Sequence, residues 1–143
     1  MKKVILYLIM ATSILGAQLK DGKYFVQGKK YYYGWSSTAS IIVEDGEIVE
    51  VTTDKVNKAG ELVNENEEYN KKMLAKSGTN PKKYSVVLIE NFMKELKKNN
   101  DFQMPKIDII AGATDSSKKF RKMMEFLVKK AKHGKTGDYR MEL

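Results

Sequence analysis

Between residues 18 and 53 the apolar positions come in short runs broken by glycines, a strand-like rather than helical pattern. Asp21-Gly22 opens a strand predicted over Lys23 to Gln27, and Gly28 closes it. Tyr31-Tyr32-Tyr33-Gly34-Trp35 is an aromatic cluster broken by one glycine. Strand alternation would put the three tyrosines on alternate faces and leave at least one ring exposed. Residues 38–53 predict a hairpin, because Ala39 to Val43 and Ile48 to Val51 flank Asp45-Gly46, a favoured type I′ pair. Residues 54–65 are polar, contain Lys58-Ala59-Gly60, and predict a loop.

The period then becomes helical. Glu65 to Lys76 predicts a short helix stopped by Ser77-Gly78. Asn80-Pro81 predicts a second helix start, with proline at the first helical position. Tyr84, Val87, Leu88, Phe92 and Leu96 give it an apolar stripe to about Lys98, and Asn99-Asn100-Asp101 ends it. Pro105 breaks the chain. Ile107 to Ile110 is a brief strand-like run, followed by Ala111-Gly112-Ala113-Thr114. A last helix is predicted from near Ser116, with Phe120, Met123, Met124, Leu127 and Ala131 buried and Gly134 as its stop. The methionines at such positions read as packing. Early strands and later helices predict one small α+β domain over residues 18–134, an antiparallel sheet of hairpins packed by C-terminal helices, with 135–143 as a loose tail.

The first residues stand apart from this pattern. Met1-Lys2-Lys3 is positive, Val4 to Leu15 is almost unbroken apolar sequence, and Gly16-Ala17 follows. That is the anatomy of a secretory signal peptide over residues 1–17, too short to span a bilayer comfortably. An uncleaved anchor is the alternative, because Leu15 sits where a cleavage site prefers a small residue. Either way the remainder reads as extracytoplasmic: secreted, periplasmic or membrane-associated.

Composition narrows the chemistry. The chain has 143 residues, no cysteine and one histidine, His133. Disulfides, thiolate metal sites, CxxC redox chemistry, covalent haem and a lipidated cysteine are all excluded, and histidine-based catalysis has little scope. The formal charge of +8 comes from lysine far more than from arginine, whose only members are Arg121 and Arg140. Scattered lysines argue for solubility or attraction to an anionic membrane surface, and against nucleic-acid readout.

One segment carries candidate chemistry. An apolar run ends in Ala111-Gly112-Ala113, then come Thr114, Asp115, Ser116 and Ser117, then a helix. Small residues let a bulky planar group approach the backbone. A helix N-terminus offers unpaired N–H groups and the positive end of the dipole, which favour a phosphate. The Ser116 and Ser117 hydroxyls and the charges of Lys118 and Lys119 would add to it. Taken alone, the same residues are explained as well by an ordinary capped helix.

The segment also resembles the attachment motif of the FMN-binding domain family. That family includes subunits of sodium-pumping quinone reductases and small exported flavoproteins. Asp108, Gly112, Ala113 and Thr114 match at the family's spacing, while Ile109 and Ala111 stand where it more often has glycine and a hydroxyl residue. The likeness extends over roughly residues 20–134, through Asp21-Gly22-Lys23-Tyr24, Gly34-Trp35, Val43 to Ile48, Asn57 to Gly60, Glu67 to Lys71 with Met73, Ser77-Gly78 with Pro81, and Ala113 to Ser117 with Phe120.

The resemblance implies FMN joined to Thr114 by a phosphoester and installed by a magnesium-dependent FAD:protein FMN transferase that reads Asp108. It implies an electron carrier between a membrane donor and an extracytoplasmic acceptor or reductase. Trp35 would stack on the ring, and Asn57 and Tyr69 would hydrogen-bond it. Core packing for Trp35 and Tyr69, and a plain turn for Asn57, are the alternatives. Other readings also stay open: a non-enzymatic surface or binding protein of the same fold, a reductase with its own substrate pocket, and FMN bound without a covalent link.

Overall fold

The computed structural model describes residues 19–96 and 102–143. The predicted leader and the predicted helix end at Asn99 to Asp101 lie outside those residues. The described chain is a four-stranded sheet with three α-helices, an α+β domain as the pattern predicts. Its elements are β1 (Gly22–Gly28), β2 (Ser36–Glu44), β3 (Glu47–Val56), a 3-10 turn (Val63–Glu65), α1 (Glu67–Ser77), α2 (Pro81–Leu96), α3 (Thr114–Lys132) and β4 (Gly137–Met141).

The predicted hairpin forms β2 and β3. Asp45 and Gly46 both have positive φ, 53° and 79°, as a type I′ turn requires. Asp21, just before β1, clamps this turn: its carboxylate accepts from Asp45 N at 3.1 Å and Gly46 N at 2.9 Å. Tyr24, Val26, Ala39, Ile41, Val43, Ile48 and Val51 are buried under the helices. α3 lies against β1 and β2 and α2 against β3. The predicted stripe of α3 is realised in full, since Phe120, Met123, Met124, Leu127 and Ala131 are all completely buried. The stripe of α2 is narrower than predicted. Tyr84, Leu88 and Phe92 are buried, but Val87 is exposed and Ser85 takes its place inward.

Several expectations need correction. The tail is not loose: residues 137–141 form β4, parallel to β1, so the sheet is mixed rather than antiparallel and runs β3-β2-β1-β4. Tyr139 packs edge-on against Phe126 at 5.5 Å, which fixes the strand to α3. The tyrosine triplet is not a strand. Tyr32 and Trp35 exchange both backbone hydrogen bonds, and Tyr33 and Gly34 turn between them at φ 53° and 88°. Tyr33 is fully exposed at the tip of this turn. Residues 54–56 continue β3 instead of starting a loop, and Ile107 to Ile110 is a loop instead of a strand. The last helix begins at Thr114, two residues earlier than predicted.

A polar pin joins the two shorter helices. Buried Asn70 donates to Val63 O and Asn66 O at 2.7 and 2.8 Å and accepts from Lys82 N at 2.9 Å. Asn80 donates to Asn70 O at 3.0 Å. These bonds set the start of α2 and hold the Ser77–Asn80 connection in place.

Candidate functional site

The turn before α3 is built by three small residues. Ala113 N donates to Ile110 O at 2.9 Å, and Gly112 takes φ 82°. A Cβ on Gly112 would lie 3.1 Å from Thr79 Cγ2 and 3.2 Å from Ser77 O, so a side chain here would press on the α1–α2 connection as well as strain the backbone. Ala113 is buried and stands at the N-cap, where it has no side chain able to cap. The first amides of α3 are therefore left without a side-chain acceptor, and Thr114 stands exposed among them.

The two serines behind Thr114 turn inward. Ser117 is completely buried; its hydroxyl donates to Ala113 O at 2.7 Å and accepts from Ile110 N at 3.0 Å. Ser116 donates to the Tyr84 hydroxyl at 3.0 Å. Both hydroxyls are spent on holding the turn and the helix start. Asp108 is exposed on the preceding loop, which Arg121 ties to α3 by donating to Ile107 O at 3.1 Å.

Beside this helix start lies an open cleft of about 440 Å³. One wall is aromatic, with Tyr32 and Tyr33 from the tight turn, Trp35, and Tyr69 from the first turn of α1. Trp35 and Tyr69 meet edge-on at 5.6 Å, so the structure brings these two predicted residues together. The opposite wall is the first two turns of α3, with Asp115, Lys118, Lys119 and Lys122. Lys119 spans the two walls. Its ammonium is 3.0 Å from the Asp115 carboxylate and 3.9 Å from the centre of the Tyr32 ring. Asp115, a negative charge close to a phosphate-holding position, is thus paired within its own helix. Asn57 does not line the cleft. Its amide closes its own turn, donating to Glu61 at 2.7 Å and accepting from Ala59 N and Glu61 N.

Ser37 and Lys55, adjacent across β2 and β3, complete the cleft. Burial lowers the Lys55 pKa, and nearby Lys119 adds to the effect. Behind them a small, water-sized pocket of about 10 Å³ is lined by Asp54, Lys55, Asn64, Tyr84 and Ser116, among others. Burial raises the pKa of Asp54 and of Tyr84 around it. Sequence reasoning missed Lys55 because it assigned residues 54–65 to a loop. The alternation Val51, Thr53, Lys55 would have placed it on the helix-covered face.

The fold and the cleft define a class: a small α+β domain with a basic, aromatic cleft at the N-terminus of its longest helix. No family model matches the chain. It is 30% identical over 101 residues to the 15 kDa lipoprotein of Treponema pallidum (strain Nichols), an alignment taking in 71% of this chain and 67% of that protein. The chain belongs to the family of that lipoprotein. A crystal structure of a Clostridium perfringens protein matches it with a TM-score of 0.74 at 35% identity, covering 87% of this chain and 98% of that one. A relative named as a lipoprotein agrees with an exported chain. Among the described residues no helix is long and apolar enough to cross a membrane.

Proposed function

We propose that this chain is an exported electron carrier with FMN joined to Thr114 through a phosphoester. The observation that carries the reading is the exposed Thr114 hydroxyl at an uncapped helix N-terminus, next to a cleft with aromatic rings on one wall and lysines on the other. The residues present fit the group. The first amides of α3 and Lys118 suit a phosphate, and Trp35, Tyr69 and Tyr32 suit a planar ring. When bound, FMN supplies one- and two-electron transfer; the protein supplies position, burial and electrostatics. Thr114 would take the FMN half of FAD at its Oγ, with AMP leaving and the hydroxyl proton lost, in a step run by a separate FAD:protein FMN transferase. Asp108, exposed on the loop before the turn, is open to recognition by that enzyme.

The covalent link suits an extracytoplasmic carrier, from which a free cofactor would diffuse away. Electrons would arrive from a membrane donor and leave to an extracytoplasmic acceptor or reductase. Co-expression of the chain with a flavin transferase, followed by intact mass, tests the linkage. The unsubstituted chain should gain the mass of one FMN less one water, and Thr114→Ala should gain nothing. No gain in the unsubstituted chain would overturn the covalent reading. A gain that persists in Thr114→Ala would move the linkage elsewhere. Ser116 and Ser117 are poor substitutes, because both hydroxyls are engaged inside the protein.

A further inference from the structure

Lys55 is an unusual residue for the place it occupies. On β3 it shares a face with Thr53 and with buried Val51, and it pairs in register with Ser37. Its stem therefore runs along the helix-covered side of the sheet, and the residue lines both the cleft and the small pocket behind it, with its ammonium 5.9 Å from the centre of the Tyr84 ring. Among the described residues it forms no ion pair; the cleft's one carboxylate, Asp115, is paired with Lys119. Removing a cation from water without pairing it costs free energy that the apo fold does not recover. Burial and Lys119 both disfavour its charge, burial more, while Tyr69 and Asp115 only partly offset them. Such an arrangement favours a bound negative charge.

The place of that charge follows from the two walls. A phosphate on Thr114 belongs to the helix wall, with the α3 amides and Lys118. Lys55 comes from the sheet, beside Ser37, and lines the same cleft as Trp35 and Tyr69. A planar group lying against those rings shares the cleft with it. We infer that Lys55 is a ring-binding residue that stabilises the negative charge of the reduced flavin ring and so raises the potential of the site. This rests on the reading of the cleft as a flavin site. Two electrons and one proton turn the neutral ring into a monoanion. The donor, a quinol or in vitro dithionite, gives up the two electrons, and water supplies the proton.

The test uses Lys55→Met, which keeps the packed stem, and Lys55→Arg, which keeps the charge. Both are flavinylated by co-expression, intact mass measures loading, and midpoint potentials are read by equilibrium reduction against a dye of known potential. Lys55→Met should load like the parent and lose ten- to a hundredfold of its preference for the reduced ring, a drop of about 30–60 mV for a two-electron couple. Lys55→Arg should stay near the parent. Without flavin, Lys55→Met should melt at a higher temperature than the parent, because it removes a half-buried cation that has no ion pair among the described residues. A purely structural lysine would give a lower melting temperature and an unchanged potential, and either result overturns the inference. A fully loaded Lys55→Met with the parent's potential overturns this inference alone. A parent that takes up no flavin, linked or free, overturns the flavin reading as well.

Discussion

At the scale of single residues, Gly112 does two tasks that a substitution can separate. It holds a left-handed φ of 82°, and it lets the turn approach Ser77 and Thr79 more closely than most Cβ contacts, so a side chain there would make its neighbours give by a few tenths of an ångström. Gly60 has nearly the same φ, 85°, but open space around it. Gly60→Ala should therefore cost only the conformational penalty, about 1 kcal/mol. Gly112→Ala adds the contact with Ser77 O and Thr79 and should cost about 2–3 kcal/mol. Urea unfolding of both variants measures the difference, and equal midpoints would show that the close approach contributes nothing. Gly112→Ala should also lower FMN loading several-fold, because the turn sets where Thr114 stands. The glycine and the threonine were legible in the sequence as a small-residue turn before a helix. The tasks of Ser116 and Ser117 were not. A serine one turn into a helix looks the same whether its hydroxyl faces solvent or, as here, bonds Tyr84 or Ala113 O.

Among the elements, β4 has the most to reveal. It adds five paired residues to β1, and the residues beyond it keep contributing: a Cβ on Gly28 would meet Leu143 Cδ1 at 2.8 Å, and Leu143 also lines the cleft. Truncation after Gly134 removes that ladder together with the packing of Tyr139 on Phe126. At about 1 kcal/mol for each hydrogen bond, plus the lost apolar burial, it should cost about 3–5 kcal/mol. Arg140→Ala, at an exposed position of the same strand, should change stability by less than about 0.5 kcal/mol. Thermal melts of the two proteins check both figures; a truncated chain that melts like the parent would make β4 an ornament of the sheet. The strand escaped the sequence reading for a physical reason. Its partner β1 lies more than a hundred residues upstream, and Gly137 and Asp138 are poor strand formers. The signal present was the alternation Tyr139, Met141, Leu143, all half-buried. The β2–β3 hairpin and α3 were legible because their information is local: a turn pair at Asp45-Gly46 in one, five buried positions at helical spacing in the other. Asn70, which pins the start of α2, carried no local signal, because its value lies in partners 4 to 12 residues away.

For the molecule as a whole, the question is what a formal charge of +8 does around such a cleft. Lys118 and Lys122 are exposed, one turn apart on α3, and both line the cleft. Lys129 and Lys132 are equally exposed on the same helix. At about 1.5 Å per residue the two pairs are centred roughly 16 Å apart, beyond the screening length of about 10 Å at 0.1 M salt. If electrons leave through the cleft, the near pair steers a charged acceptor and the far pair does not. Oxidation of the loaded, reduced protein by ferricyanide, an anion, should slow as salt is added, and oxidation by a cationic cobalt(III) ammine should speed up. Reversing the near pair, Lys118→Glu with Lys122→Glu, should cut the ferricyanide rate about tenfold at low salt. The far pair, Lys129→Glu with Lys132→Glu, makes the same change in net charge and should cut it by less than about twofold. Near 0.5 M salt all three proteins should converge, because the charges are then screened within about 5 Å. Stopped-flow absorbance reads each rate directly. Equal losses from the two pairs would mean that net charge alone steers the acceptor, and that electrons need not leave at the lysine-lined mouth.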